Sequence, residues 1–140
     1  MDSLLAQLPW QNIHPILVNF TAALIPVSVV SDLSGKLFGR ESLTHAAWWS
    51  LLYAAAITPF TALAGWFWKR SVEAALPPDL IAIHQWLGIS LAVAFVALTI
   101  WRGLLHRRGV SPGALYFLLA AIVLGALTYQ GHLGGSMTFG

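Results

Sequence analysis

The placement of charge decides what this 140-residue chain can fold into. Its seven basic and five acidic side chains sit in short clusters, and residues 3–31, 42–68, 80–101 and 109–140 carry no formal charge. A helix of about 20 apolar residues crosses the hydrocarbon core of a bilayer, and each of these intervals is long enough to supply one. A soluble domain would need roughly a quarter of its residues charged to cover its surface. This chain is 58% apolar and 9% charged. A soluble globular domain, a nucleic-acid binder and a disordered tail are therefore excluded, and the excess of two positive charges reflects loop arginines rather than a basic patch. With no cysteine there is no disulfide, no thiolate metal site and no CxxCH attachment of a c-type haem. The N-terminal MDSLLAQLPW has no basic residue ahead of its apolar run, so no cleavable signal peptide is expected.

The expected fold is an all-α, single-domain, integral membrane four-helix up-down bundle. Its spans run from about Ile13 to Ser34, Leu43 to Trp68, Asp79 to Leu105 and Pro112 to Leu133. Pro15, following His14, is read as the first helical position, where a missing amide costs nothing. Pro77-Pro78 halts any continuation before the third helix, with Asp79 as its cap; Ser111-Pro112 opens the fourth and Gly134-Gly135 ends it. Loops of roughly eight to ten residues would make consecutive helices antiparallel neighbours. Lys36, Arg40, Arg102, Arg107 and Arg108 fall in the first and third loops, against Lys69 and Arg70 in the second. The positive-inside rule then puts both termini outside. Trp10, Trp66, Trp68 and Trp86 mark the outer boundary, and Trp48, Trp49 and Trp101 the inner one. Pro26 and Pro59 lie inside spans and free the carbonyls of Ala22 and Ala55, which Thr21, Thr58 and Thr61 stand near enough to serve. The kinks serve packing or act as hinges.

Five histidines are the chemically informative residues. The topology puts His14, His84 and His132 at similar depth in the outer leaflet, on three different helices, whereas His45 and His106 lie at the inner side. Ionisable side chains within a membrane usually have a purpose. Below His84 helical steps pass Gly88 and Ala92; below His132 they pass Thr128, Gly125 and Ala121; below His14 they pass Val18, Thr21 and Ala22. Small faces leave room for a flat macrocycle, so a b-type haem is one reading. His84 and His132 are the first choice of axial ligands, His14 is a substitute or propionate partner, and Lys69 and Arg70 are propionate candidates. Small faces also pack helices together with no cofactor, and a zinc or copper ion held by three imidazoles is a third reading. Asp32 either pairs with His45 to carry protons or makes an interfacial salt link with Lys36 and Arg40. His106 belongs with the basic cluster that sets topology.

His14-Pro15-Ile16-Leu17-Val18-Asn19-Phe20, followed by Ala23-Leu24, resembles the opening motif of the bacterial domain-of-unknown-function 2231 family of small four-helix predicted membrane proteins. Asp32, the alanine-rich second helix ending near Gly65, and His84 fit its pattern, and Gly131-His132-Leu133-Gly134-Gly135 resembles its ending. Some members are fused to, or encoded beside, c-type cytochromes, so the resemblance implies a redox setting with a c-type cytochrome as a partner. The expected function is a small electron-transfer subunit, more a carrier than a stand-alone enzyme. The competing one is a cofactor-free accessory subunit that packs beside other subunits of a larger membrane or redox complex.

Overall fold

In a computed structural model, residues 9–139 are described, with Trp10, Gln11, Thr138 and Phe139 described at the backbone only. Four helices follow one another: α1 (Trp10–Phe38), α2 (Glu41–Val72), α3 (Pro78–Arg107) and α4 (Ala114–Phe139). All four are long and apolar enough to cross a membrane. They pack in a ring in chain order, α4 closing against α1, as the up-down reading requires.

The helices are longer and the loops shorter than expected. Only Gly39 and Arg40 separate α1 from α2. Gly39 takes the left-handed conformation at φ 62°, and the Arg40 amide returns to the Gly35 carbonyl at 3.0 Å. This closure satisfies the Gly35 carbonyl in the last turn of α1 and reverses the chain within two residues. Pro15 is not at the first helical position but inside α1, so it costs one helix hydrogen bond there. Pro78, not Asp79, begins α3, and Asp79 lies in the first turn, where its charge suits the helix dipole. Pro112 stays outside α4, and Gly134-Gly135 does not end that helix, which runs on to Phe139. The threonines beside the internal prolines do not serve the freed carbonyls. Thr21, Thr58 and Thr61 instead donate to the carbonyls of Leu17, Ala54 and Ile57.

At mid-depth the helices meet in a core of Ile25, Ala54, Leu91 and Phe95, flanked by Leu87, Val123 and Leu127. Large apolar side chains such as Phe20, Val30, Phe60, Val93 and Ile122 point outward, which is what a helix facing lipid presents. Trp48 and Trp101 are half-buried, each in a ring contact at the end that bears the α1–α2 and α3–α4 loops, labelled the inner end after the expected orientation.

That inner end is filled and cross-linked. Arg102, counted above as a loop residue, lies within α3 and is buried. Its Nε and Nη2 donate to Asp32 Oδ2 and Oδ1 at 2.7 and 2.8 Å, and both side chains are 1% exposed. Asp32 therefore pairs with neither His45 nor Lys36 and Arg40. Lys36 instead donates to the Pro112 carbonyl at 2.7 Å. Ser28 donates to the Ala47 carbonyl at 2.8 Å, tying α1 to α2. Tyr116 is buried edge-on against Trp101. At the opposite end, the one bearing the termini and the α2–α3 loop, the four helices enclose a hollow.

Candidate functional site

The hollow is a cavity of about 600 Å³ between all four helices, within the size range of small-molecule and cofactor sites. Its walls are mainly apolar: Val18 and Ala22 from α1, Ala62 from α2, Leu91 and Ala92 from α3, Leu127 from α4. Its few polar groups include His14 on α1, Lys69 on α2, His84 and Gln85 on α3, and Gln130 on α4.

Two glycines seat the histidines. His14 lies over Gly65 of α2, where a Cβ would stand 2.8 Å from the imidazole Cε1; any larger residue would displace the ring. The His14 Nδ1–H donates to the Thr61 carbonyl at 3.0 Å, and Trp68 flanks the ring at 5.5 Å between centres. That bond fixes the tautomer and leaves Nε2 unprotonated, as an incoming metal would need. His84 rests against Gly134 of α4, where a Cβ would stand 3.3 Å from its Cε1.

Gln130 was not anticipated. Its amide nitrogen donates to the His84 carbonyl at 2.9 Å and contacts the His84 Nε2 at 3.2 Å. The carbonyl contact fixes which end of the amide is nitrogen, so the ring Nε2 accepts and the imidazole proton sits on Nδ1. Gly88 makes room for this side chain: a Cβ there would stand 3.0 Å from the Gln130 amide nitrogen. Two buried side-chain atoms among the described residues have no hydrogen-bond partner, and they are His84 Nδ1 and Gln130 Oε1. Buried polar atoms are rarely left unpaired, and these two are neighbours in the cavity wall.

His14, His84 and Gly88, all selected from the sequence, line the cavity. The sequence-selected residues of α4 do not. His132 is exposed on the outside of the bundle. Gly125 is exposed as well, and a Cβ there would meet nothing. Thr128 is exposed, donates to the Leu124 carbonyl and lines a separate lateral groove between α1 and α4 with Ala22 and Pro26. The reason is helical phase. The cavity face of α4 runs through Leu127, Gln130, Gly131 and Gly134, so His132, two residues past Gln130, points roughly 200° away. The three-imidazole zinc or copper site falls with it: among the described residues no group of three His, Cys, Asp or Glu comes together to hold a metal.

Lys69 stands at the mouth of the cavity. It donates to Gln85 Oε1 at 2.6 Å, and both Lys69 and Arg70 lie over the Trp66 ring, at 5.9 and 5.7 Å. An all-α membrane bundle that closes tightly at one end and holds two histidines in an apolar chamber at the other is the class of protein defined here. Residues 10–140 match the family of predicted membrane proteins designated DUF2231, and the chain belongs to that family. No curated protein and no solved structure matches it.

Proposed function

We propose that the protein is a small electron-transfer subunit of a bacterial inner-membrane redox complex, binding one b-type haem in the outer cavity. The observation that carries this reading is the pairing of His14 and His84, from non-adjacent helices α1 and α3, in one apolar chamber of cofactor size. The residues that would hold the iron are therefore His14 and His84 in place of His84 and His132. His14 has its Nδ1 proton engaged by the Thr61 carbonyl, the arrangement that orients a ligating imidazole and raises its basicity. His84 brings an unpartnered Nδ1, and the Gln130 amide has to leave its Nε2 for that atom to ligate. Haem supplies one-electron chemistry; the chain's part is to hold the iron, exclude water and tune the field. Lys69 and Arg70 at the mouth are suited to propionates.

The termini face outward in this reading. Lys36, Arg40, Arg107 and Arg108 gather at the inner end, and the positive-inside rule supports that side as cytoplasmic. A c-type cytochrome on the outer side is the partner that the depth of the cavity suits. The contact of Gln130 with His84 Nε2 favours a second reading, in which that nitrogen is already satisfied and the chain is a cofactor-free accessory subunit.

A reduced-minus-oxidised absorption spectrum of protein purified after expression with ample haem separates the two. Sharp low-spin bands, lost in His14→Ala and in His84→Ala, are expected. A flat difference spectrum would leave the accessory subunit standing.

A further inference from the structure

We propose that the inner end of the bundle carries a metal site of its own, in which His45 and His106 chelate a divalent transition-metal ion. His45 lies in the first turns of α2 and His106 in the last turn of α3, with ring centres 5.9 Å apart. Bonds from a metal to imidazole nitrogen are about 2.0–2.1 Å, which puts the centres of two rings on one ion roughly 5–6 Å apart. The observed separation already meets that condition. The rings stand at 85° to one another, so chelation needs a turn about χ2, a soft and broad torsion in histidine.

One half of the site is held in place. The His106 ring stacks on Trp48 at 5.2 Å with 18° between planes. Trp48 fits there because Gly103 has no side chain; a Cβ would stand 3.1 Å from the indole. His45 is exposed and forms the moving half. Neither imidazole has a ring nitrogen in a hydrogen bond among the described residues, and Asp32 is engaged by Arg102 instead. No third protein ligand stands ready, so water completes the shell, and Glu41, one turn before His45, is a carboxylate that side-chain rotation could add.

Arg107 and Arg108 follow His106 directly, and their charge opposes any cation bound by charge alone. Mg²⁺ and Ca²⁺, which need oxygen ligands, are therefore excluded, while ions that bond covalently to imidazole are not. Cu²⁺ should bind most strongly, then Ni²⁺. The site lies roughly 30 Å along α3 from His84, so it stands or falls independently of the haem reading.

The test is a Cu²⁺ titration of the tag-free full-length protein in lipid nanodiscs, followed by electron paramagnetic resonance and tryptophan fluorescence. One Cu²⁺ per chain is expected, with coupling to two nitrogens and partial quenching of fluorescence, unaffected by excess Mg²⁺. His45→Ala and His106→Ala should each abolish the two-nitrogen signal, and His132→Ala should leave it. Trp48→Phe should keep the copper signal and lose most of the quenching, because that indole backs His106. A two-nitrogen signal that survives both single variants would overturn the proposal. So would wild-type binding no stronger than that of the His45→Ala/His106→Ala double variant.

Discussion

The inner and outer halves of this bundle are built from the same four helices but solve opposite problems. At the inner half a two-residue turn brings α1 and α2 together, and every strongly polar side chain buried there has a named partner: Asp32 with Arg102, Ser28 with the Ala47 carbonyl. At the outer half the same helices surround a chamber, and the two buried side-chain atoms unpaired among the described residues, His84 Nδ1 and Gln130 Oε1, lie there together. In hydrocarbon no water reaches an unsatisfied group, so each unpaired atom of the chamber costs stability. The clamp pairs its buried charges with each other, and the chamber leaves polar atoms without a partner among the described residues.

The largest effect should come from breaking the clamp. Arg102→Leu leaves the Asp32 carboxylate buried without its partner, and Asp32→Leu does the same to the guanidinium. Each should cost about 3–5 kcal/mol of stability, whereas the double Leu variant should recover most of the loss, since removing both charges of a buried pair is often neutral. Thermal unfolding in detergent or nanodiscs checks this. Equal losses in the single and double variants would mean that the pair stabilises by more than mutual neutralisation. The stronger contrast with the outer half lies in His84→Ala, which removes no closed network and should unfold at nearly the wild-type temperature.

The clamp also shows where sequence reasoning stops. Four spans and antiparallel packing were legible because charge is excluded from hydrocarbon at almost any cost, and the chain's charge gaps record that directly. Arg102 escaped for the same reason. Only five residues before the pair Arg107-Arg108, it reads as part of a loop cluster, and nothing in one sequence reveals that Asp32, on another helix, neutralises it. The site was half legible. On α1 and α3 the small residues at helical spacing from His14 and His84 do face the cavity. On α4 the chemistry of His132 points to the wrong face, whereas Gly131 and Gly134 mark the cavity face together with Leu127 and Gln130. Periodicity carried the phase there, and residue identity misled.

The next largest effect concerns the glycines. Gly65→Leu should displace His14, because its Cβ alone would stand 2.8 Å from the ring, and overpacking of this kind costs about 1–3 kcal/mol. Gly88→Leu should crowd Gln130 and the cavity behind it. Gly125→Leu, on the lipid-facing side, should change neither stability nor any cofactor spectrum. If Gly125→Leu proved as damaging as Gly65→Leu, the phase of α4 would have to be redrawn.

The smallest expected effect is the most discriminating. His132→Ala removes an exposed side chain that lines neither the cavity nor the inner clamp, and exposed substitutions away from such features usually change stability by no more than about 0.5 kcal/mol. Its spectrum after haem loading should match that of the wild type, while Gln130→Leu should shift the bands or the midpoint potential by removing the bond from Gln130 to the His84 backbone carbonyl. This pair of variants separates two explanations of the outer half. If the chamber is organised by phase, the side chain two residues before His132 governs the site and the histidine does nothing. If His132→Ala abolished the spectrum and Gln130→Leu left it unchanged, α4 would have to turn by about half a revolution in the loaded protein. The contacts of Gly134 with His84 and of Gln130 with the His84 backbone would then both be lost.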